Sequence, residues 1–513
     1  MPLIPGSGKP HHNRMRCYSL YICTIAIMRP LLLLLCSLLV VRTSGQQIYI
    51  SQAQKLSAEM IGFDILGTLS GGELLVYKKY RFDDEIDIYD KQMNLKRSKN
   101  LTLKNITYET KEFIKLGDRI FQFYEEKNGK VTYLKYQQYT LSLERKDEPV
   151  LIDSTVSRMG ESYSGYRIIR SENEQYAMAY KYAYEGSDLS RTFLKVINQE
   201  GRIVMNSEFT LPVVDFSGEP VEVTLSAFGR PVFLFHNLDF TCRKEKSDIS
   251  YYFVFPGHGT AFTDTRINGI DGHCVQEMGF GIDNSHNLVV ASGFFGDDGR
   301  YSMEGFAYLQ INPTSGNIIH QSAYSYSSEL KQSITGMMER SERYTPVYQV
   351  TEVLPRMDGG ALLVGEYYDK NIENYDYTNY DPYYGYRTST RQVEYYEYSD
   401  ILLLSIDANG ELDWSNIIRK RQLSKEDRGV NSSFGLINNY QQLYFLFNED
   451  ISQNSNVLLY QLAADGTLDR KSLFNPSKQE VELRPVAARQ VSHNELVVPS
   501  IYKRNLAFIK VQL

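Results

Sequence analysis

The chain is poor in residues that announce chemistry. Its 513 residues hold one tryptophan, eight histidines and five cysteines. Beyond residue 45 the histidines (His236, His258, His273, His286, His320, His493) form no His-x-His or His-Glu-x-x-His spacing, so no metal ligand set is legible. No Gly-x-Ser-x-Gly is present, which leaves nucleophile-elbow hydrolases without support. Gly67–Gly72 is glycine-rich but lacks the Lys-Ser/Thr ending of a phosphate loop and opens a strand. The oxygen-rich runs Gly293–Gly299 and Asp369, Asn371, Asn374, Asp376 miss the offsets of a calcium loop and read as solvated turns. No catalytic residue, metal or cofactor is implied.

Positive charge is also scarce. The formal net charge is −7, and residues 1–45 carry five basic and no acidic side chains, so the remainder stands at about −12. That argues against nucleic acid or an anionic membrane as partner. Long apolar runs are absent as well. Leu31–Val41 is too short to span a bilayer. With Arg29 before it and Thr43-Ser44-Gly45 after it, this stretch reads as a secretory signal peptide starting at Met28. Residues 1–45 are therefore expected to be removed on export to the periplasm, the outer membrane or the cell exterior, with no stable membrane span afterwards. Cys242 and Cys274 then remain, a candidate disulfide in an oxidising compartment; two separate buried thiols is the alternative.

What the chain has in quantity is tyrosine, 40 residues, a side chain suited to strands and half-buried faces. It also has a repeat. In the stretch Met357–Ile418, Asp358-Gly359-Gly360 reads as a tight turn and Ala361–Val364 as a strand buried on both faces. Ile401–Ile406 is a second apolar run. Asp407-Ala408-Asn409-Gly410 is a hairpin signal, and Glu411–Ile418 continues from it. With Val347–Leu354 in front, this makes a four-stranded antiparallel unit. Weaker copies of its central strand recur at Gly71–Tyr80, Gly117–Glu126, Asn173–Tyr182, Gly229–Leu238, Ser285–Phe294, Tyr440–Glu449 and Ser492–Ile501. A small sheet cannot bury both faces alone; stacking copies around an axis does. The expected fold is all-β, a β-propeller of seven or eight four-stranded antiparallel blades in one domain, residues 46–513. The last blade shows three strands, and Ile48–Ser51 is expected to supply the fourth and close the ring.

Two inserts interrupt the rhythm, 320–346 and 366–398. The second is tyrosine-rich and lies between two central strands. It reads either as an extended hairpin with tyrosines paired across strands or as a recognition patch of rigid rings. The candidate binding residues are Tyr367, Tyr368, Tyr383, Tyr384, Tyr386, Tyr395 and Tyr396.

The blade around Gly359-Gly360, Glu366-Tyr367-Tyr368, Tyr398, Asp400-Ile401, Asp407, Gly410, Trp414 and Lys420-Arg421-Gln422 resembles a family of exported bacterial propeller-like proteins whose activity is uncharacterised. The resemblance covers about a blade and a half and implies export and fold. The functional expectation is a non-catalytic interaction module that binds an envelope protein or a glycan. Its rival is a hydrolase or lyase acting on polysaccharide at the rim or central channel.

Overall fold

The computed structural model describes residues 46–104, 106–156, 161–185, 189–212, 219–236, 251–296, 302–336, 345–451 and 456–513. The expected signal peptide, Cys242 and the acidic end of Gly293–Gly299 lie outside the described residues. The compact unit Ile48–Gln512 is built from eight antiparallel sheets: six have four strands in sequential order, that of blade 3 carries a fifth short strand, and that of blade 8 takes in two strands from the N-terminal side. The blade number is therefore eight.

Within each sheet the first strand is innermost. The inner strands of blades 1 to 8 are Met60–Thr68, Tyr108–Leu116, Arg167–Arg170, Glu222–Leu225, Val275–Asp283, Tyr348–Pro355, Gly435–Asn438 and Arg489–Ser492. They contact one another from blade to blade, while fourth strands such as Leu95–Asn100 carry mostly exposed side chains. The second and third strands supply the core because they are apolar on both faces, as Leu74–Tyr80 and Ile401–Ile406 are. One cluster joins Phe113 and Tyr139 of blade 2 to Leu75 and Ile86 of blade 1. Others join Phe253 to Phe280 across blades 4 and 5, and Val364 to Phe445 across blades 6 and 7.

The ring closes as expected. Gln47–Ile50 pairs with Asn505–Gln512, the third in-sequence strand of blade 8. Ser51 donates its N–H to the Phe508 carbonyl at 2.9 Å and accepts the Phe508 N–H on Oγ at 2.9 Å. One expectation for this blade is corrected. Val481–Arg489, whose sequence reads as the first of that blade's three strands, forms a 3-10 turn at Pro485–Ala487 instead, and the inner strand begins only at Arg489. Pro485 has no N–H to give to a ladder, which explains the late start.

The insert 320–346 reads as polar and part helical, and its described residues hold a strand end and a helix. Ile318–Ser325 is the outer strand of blade 5, and Ser328–Thr335 is an α-helix capped by the Ser327 hydroxyl, with Leu330 and Ile334 buried.

Candidate functional site

The stretch 366–398 is a hairpin, as one of its two readings holds. Ala361–Asp381 and Gly385–Ile406 are the second and third strands of blade 6, paired from Ala361↔Ile406 to Asp381↔Gly385. The outer strand Leu412–Lys425 accompanies them as far as Tyr395↔Lys425. Beyond that point the ribbon is two-stranded, residues 372–381 against 385–394. Ten residues of strand reach roughly 33 Å.

An isolated hairpin is marginal in water, and this one is held by cross-strand side chains. Tyr375 and Tyr395 hydroxyls meet at 2.8 Å, Tyr380 and Tyr386 rings pack edge to face at 5.2 Å, and Thr390 donates to Asp376 at 2.6 Å. The Arg387 guanidinium lies over the Tyr384 ring at 4.1 Å. Lys370–Glu394 and Arg391–Glu426 ion pairs tie the base down.

The seven candidate tyrosines divide. Tyr367 and Tyr396 are buried, Tyr367 in the core cluster between blades 5 and 6. Tyr368 packs on Tyr398, ring centroids 4.9 Å apart, and Tyr395 is half-buried at the ribbon base. Tyr383, Tyr384 and Tyr386 sit at the tip. Together with Tyr380 they are 65–92 % exposed. The strand alternation separates the two groups: rings near the blade face its core, and rings at the tip have no blade to face.

The ribbon joins a second to a third strand, so it rises from the propeller face that carries those connections. On the same face of blade 3, Tyr163, Tyr182, Tyr184, Arg167 and Glu219 line an open hollow of about 490 Å³. Arg167 holds Glu219 at 3.0 Å, donates to the Tyr182 hydroxyl at 2.8 Å and lies over the Tyr182 ring.

Around the axis the inner strands bring together ionisable groups that no local motif announces. Asp64 of blade 1 is held by Arg489 of blade 8 at 3.3 Å. Arg170 of blade 3 pairs with Glu174 at 3.0 Å and donates to the Leu66 carbonyl of blade 1 at 2.9 Å. Burial, and then the charge of Asp64, push the Glu112 carboxyl of blade 2 up to about 7. Burial raises Asp64 as well, against the opposing pull of Arg170. Glu222 of blade 4 is pushed up to about 7 by burial and then by Glu352 of blade 6. Glu352 is pushed up to about 7 by burial and then by Glu172 of blade 3. Asp64, Glu112, Glu222 and Glu352 all lie on the inner strands of their blades.

The histidines are dispersed. His236 stacks on Tyr251, His273 stacks on Phe295, and His286 is bonded to Asp283 at 2.6 Å. Among the described residues no three His, Cys, Asp or Glu side chains are placed to hold a metal ion, and no helix is long and apolar enough to cross a membrane. Cys274 is disulfide-bonded.

The motif residues Glu366, Lys420 and Gln422 converge inside blade 6. The Lys420 ammonium meets Glu366 Oε1 at 2.6 Å and Gln422 Oε1 at 2.8 Å, and Ser433 donates its hydroxyl to Glu366 Oε2 at 2.6 Å. Gln422 in turn donates to the Asn448 carbonyl of blade 7 at 2.6 Å. This part of the motif locks one blade to the next.

No family model matches the chain, and no curated protein matches it in sequence. Among solved structures it is similar to the β-propeller domain of Vanderwaltozyma polyspora Nup133, at 8% identity and TM-score 0.30, over 78% of this chain and all of that one. It is similar to an oligogalacturonate lyase in complex with manganese, at 10% identity and TM-score 0.31, over 91% of this chain and 98% of that one. A prolyl endopeptidase matches at 8% identity and TM-score 0.32 over 89% of this chain, which spans only 55% of that enzyme. The sheet order and the closed ring of interfaces make the chain an eight-bladed β-propeller.

Proposed function

We propose that this chain is an exported, non-catalytic binding module of the periplasm or cell surface that grips an envelope protein or a glycan with the tip of its blade 6 ribbon. The observation that carries the reading is the exposure of Tyr380, Tyr383, Tyr384 and Tyr386 together on a braced two-stranded arm. Large rings held rigid before contact give binding area at low entropic cost. The tyrosine-lined hollow of blade 3 faces the same side and offers one carboxylate, Glu219, already paired. The test is retention of the partner from envelope extract by the full chain and by the Tyr383→Ala/Tyr384→Ala/Tyr386→Ala variant. The reading expects binding to vanish while the melting temperature stays unchanged. Undiminished binding by the folded variant refutes it.

A second reading follows from the axial acids. Carboxyls held near 7 are suited to proton transfer at neutral pH. A polysaccharide hydrolase or lyase of the channel would be abolished by Glu112→Gln and indifferent to the tip tyrosines, so the two variants separate the readings.

A further inference from the structure

We propose that the outer edge of the blade 6 ribbon, residues 368–381, receives an extended basic segment of a partner polypeptide as an added β-strand. The inference rests on the reading of this ribbon as the binding arm; it names the class of partner and a contact separate from the tip. One side of the strand Ala361–Asp381 is occupied along its length by Gly385–Ile406. The other side is covered only at its start. The inner strand Tyr348–Pro355 ends its pairing at Tyr348↔Tyr367, and among the described residues no other backbone group bonds to the edge beyond that point. Pairing across the ribbon is regular from Tyr368↔Tyr398 to Asp381↔Gly385, so the free edge is an unbroken ladder of roughly 46 Å. Every second residue of such a strand turns its N–H and C=O outward. Donors and acceptors at that fixed spacing match another polypeptide backbone, and nothing in a glycan repeats them.

Proteins blunt such edges with lysine, proline, a bulge or a short strand. Outer strands of this chain use the first device: Leu95–Asn100 carries Lys96, Arg97 and Lys99, and Leu468–Phe474 carries Arg470 and Lys471. Residues 368–381 hold no proline and no glycine, and their one lysine, Lys370, is paired with Glu394 at 2.8 Å. What this edge carries instead is acid: Asp369, Glu373, Asp376 and Asp381. Asp376 accepts the Thr390 hydroxyl at 2.6 Å and Glu373 accepts the Tyr375 hydroxyl. Among the described residues neither these two nor Asp369 has a cation in salt-bridge contact; the arm's ion pairs use Glu394 and Glu426. Strand alternation puts Asp369 and Glu373 on one face, followed there by Tyr375 and Tyr377. Residues opposite them on an added strand would stand about 4.5–5.5 Å away, where opposite charges stabilise a pair and like charges oppose it. A second copy would bring the same four acids to the seam. A segment with Lys or Arg at alternate positions supplies the missing charge, and the exposed rings give its aliphatic stems a surface to lie on.

The test is fluorescence anisotropy of a labelled ten-residue peptide of alternating lysine and threonine, titrated with the full chain at physiological salt. Saturable one-to-one binding is expected, with amide exchange slowed at about every second residue between 368 and 381. A counterpart methylated at every backbone nitrogen keeps the charges and loses the strand N–H groups; it should bind at least about tenfold more weakly. Asp369→Lys/Glu373→Lys should weaken binding of the parent peptide about tenfold or more. Four results overturn the proposal: no saturable binding; equal binding of the methylated peptide; protection confined to other strands; or a dimer of the full chain that the charge-swapped variant breaks, which gives the edge to a second copy. The outcome is separable from the tip reading. Absent peptide binding, beside a tip variant that loses its extract partner, refutes the edge alone. Peptide binding at the edge, beside a tip variant that keeps its partner, refutes the tip alone.

Discussion

Replacing Lys420 by Met isolates the physics of the inter-blade lock. The side chains of Lys420 and Glu366 are 1 % and 3 % exposed. Their contact at 2.6 Å is ionic rather than a well-aligned hydrogen bond, since Glu366 Oε1 has no hydrogen-bond donor of good geometry. Burial lowers the affinity of Lys420 for its proton, and the Glu366 charge opposes that loss. Methionine fills the volume but leaves Glu366 buried with only the Ser433 hydroxyl, and Gln422 loses one of its donors. Breaking a buried pair from one side costs about 3–5 kcal/mol, whereas replacing both charges is often near neutral. An unfolding entropy of about 2.1 cal/mol/K per residue, summed over residues 48–512, comes to about 1 kcal/mol/K. The single variant therefore melts only about 3–5 °C lower, so chemical denaturation is the better assay. The expected result is a loss of about 3–5 kcal/mol for Lys420→Met and recovery of most of it in Lys420→Met/Glu366→Gln. A single variant costing under about 1 kcal/mol, or a double variant as unstable as the sum of the singles, refutes the reasoning.

Three further outcomes follow from the same structure. The carboxyls of Glu112 and Glu222 hold their protons up to about 7 when folded against an ordinary 4.5. Their contribution to stability is complete below the unfolded value and is lost as pH rises through the folded one. Denaturation midpoints should therefore fall between pH 5 and 8, and Glu222→Gln should flatten that slope. Gly410 has φ +77°, and a β-carbon there would collide with Ser322 across the blade interface; Gly410→Ala should cost more than about 1 kcal/mol in a denaturant titration. Deleting residues 46–55 removes the closing strand and bares the edge of Asn505–Gln512; light scattering should show aggregation at concentrations where the full chain is monodisperse.

The architecture was legible because each blade repeats a local signal. Asp407–Gly410 turns where Asn-Gly requires, and Ala361–Val364 and Ile401–Ile406 are buried as apolar runs bounded by turns. The closing strand was legible from the missing partner of the last blade. The one misread strand has a local cause too: Pro485 turned Val481–Arg489 out of the ladder. The candidate site was legible only in part. Tyrosine spacing marks the ribbon but not which rings point into the blade, because the switch occurs where the outer strand Leu412–Lys425 ends. Asp64, Glu112, Glu222 and Glu352 escaped notice because each is an ordinary strand residue in its own segment. They become a group only when strands far apart in sequence meet at the axis.

The most direct measurement of the central claim is surface-immobilised binding of envelope extract to the full chain beside its Tyr383→Ala/Tyr384→Ala/Tyr386→Ala variant, with circular dichroism and melting curves recorded on both. The account predicts matching spectra and melting temperatures, a bound component on the parent and none on the variant. Equal binding to both proteins would contradict it and turn attention to the axial carboxylates.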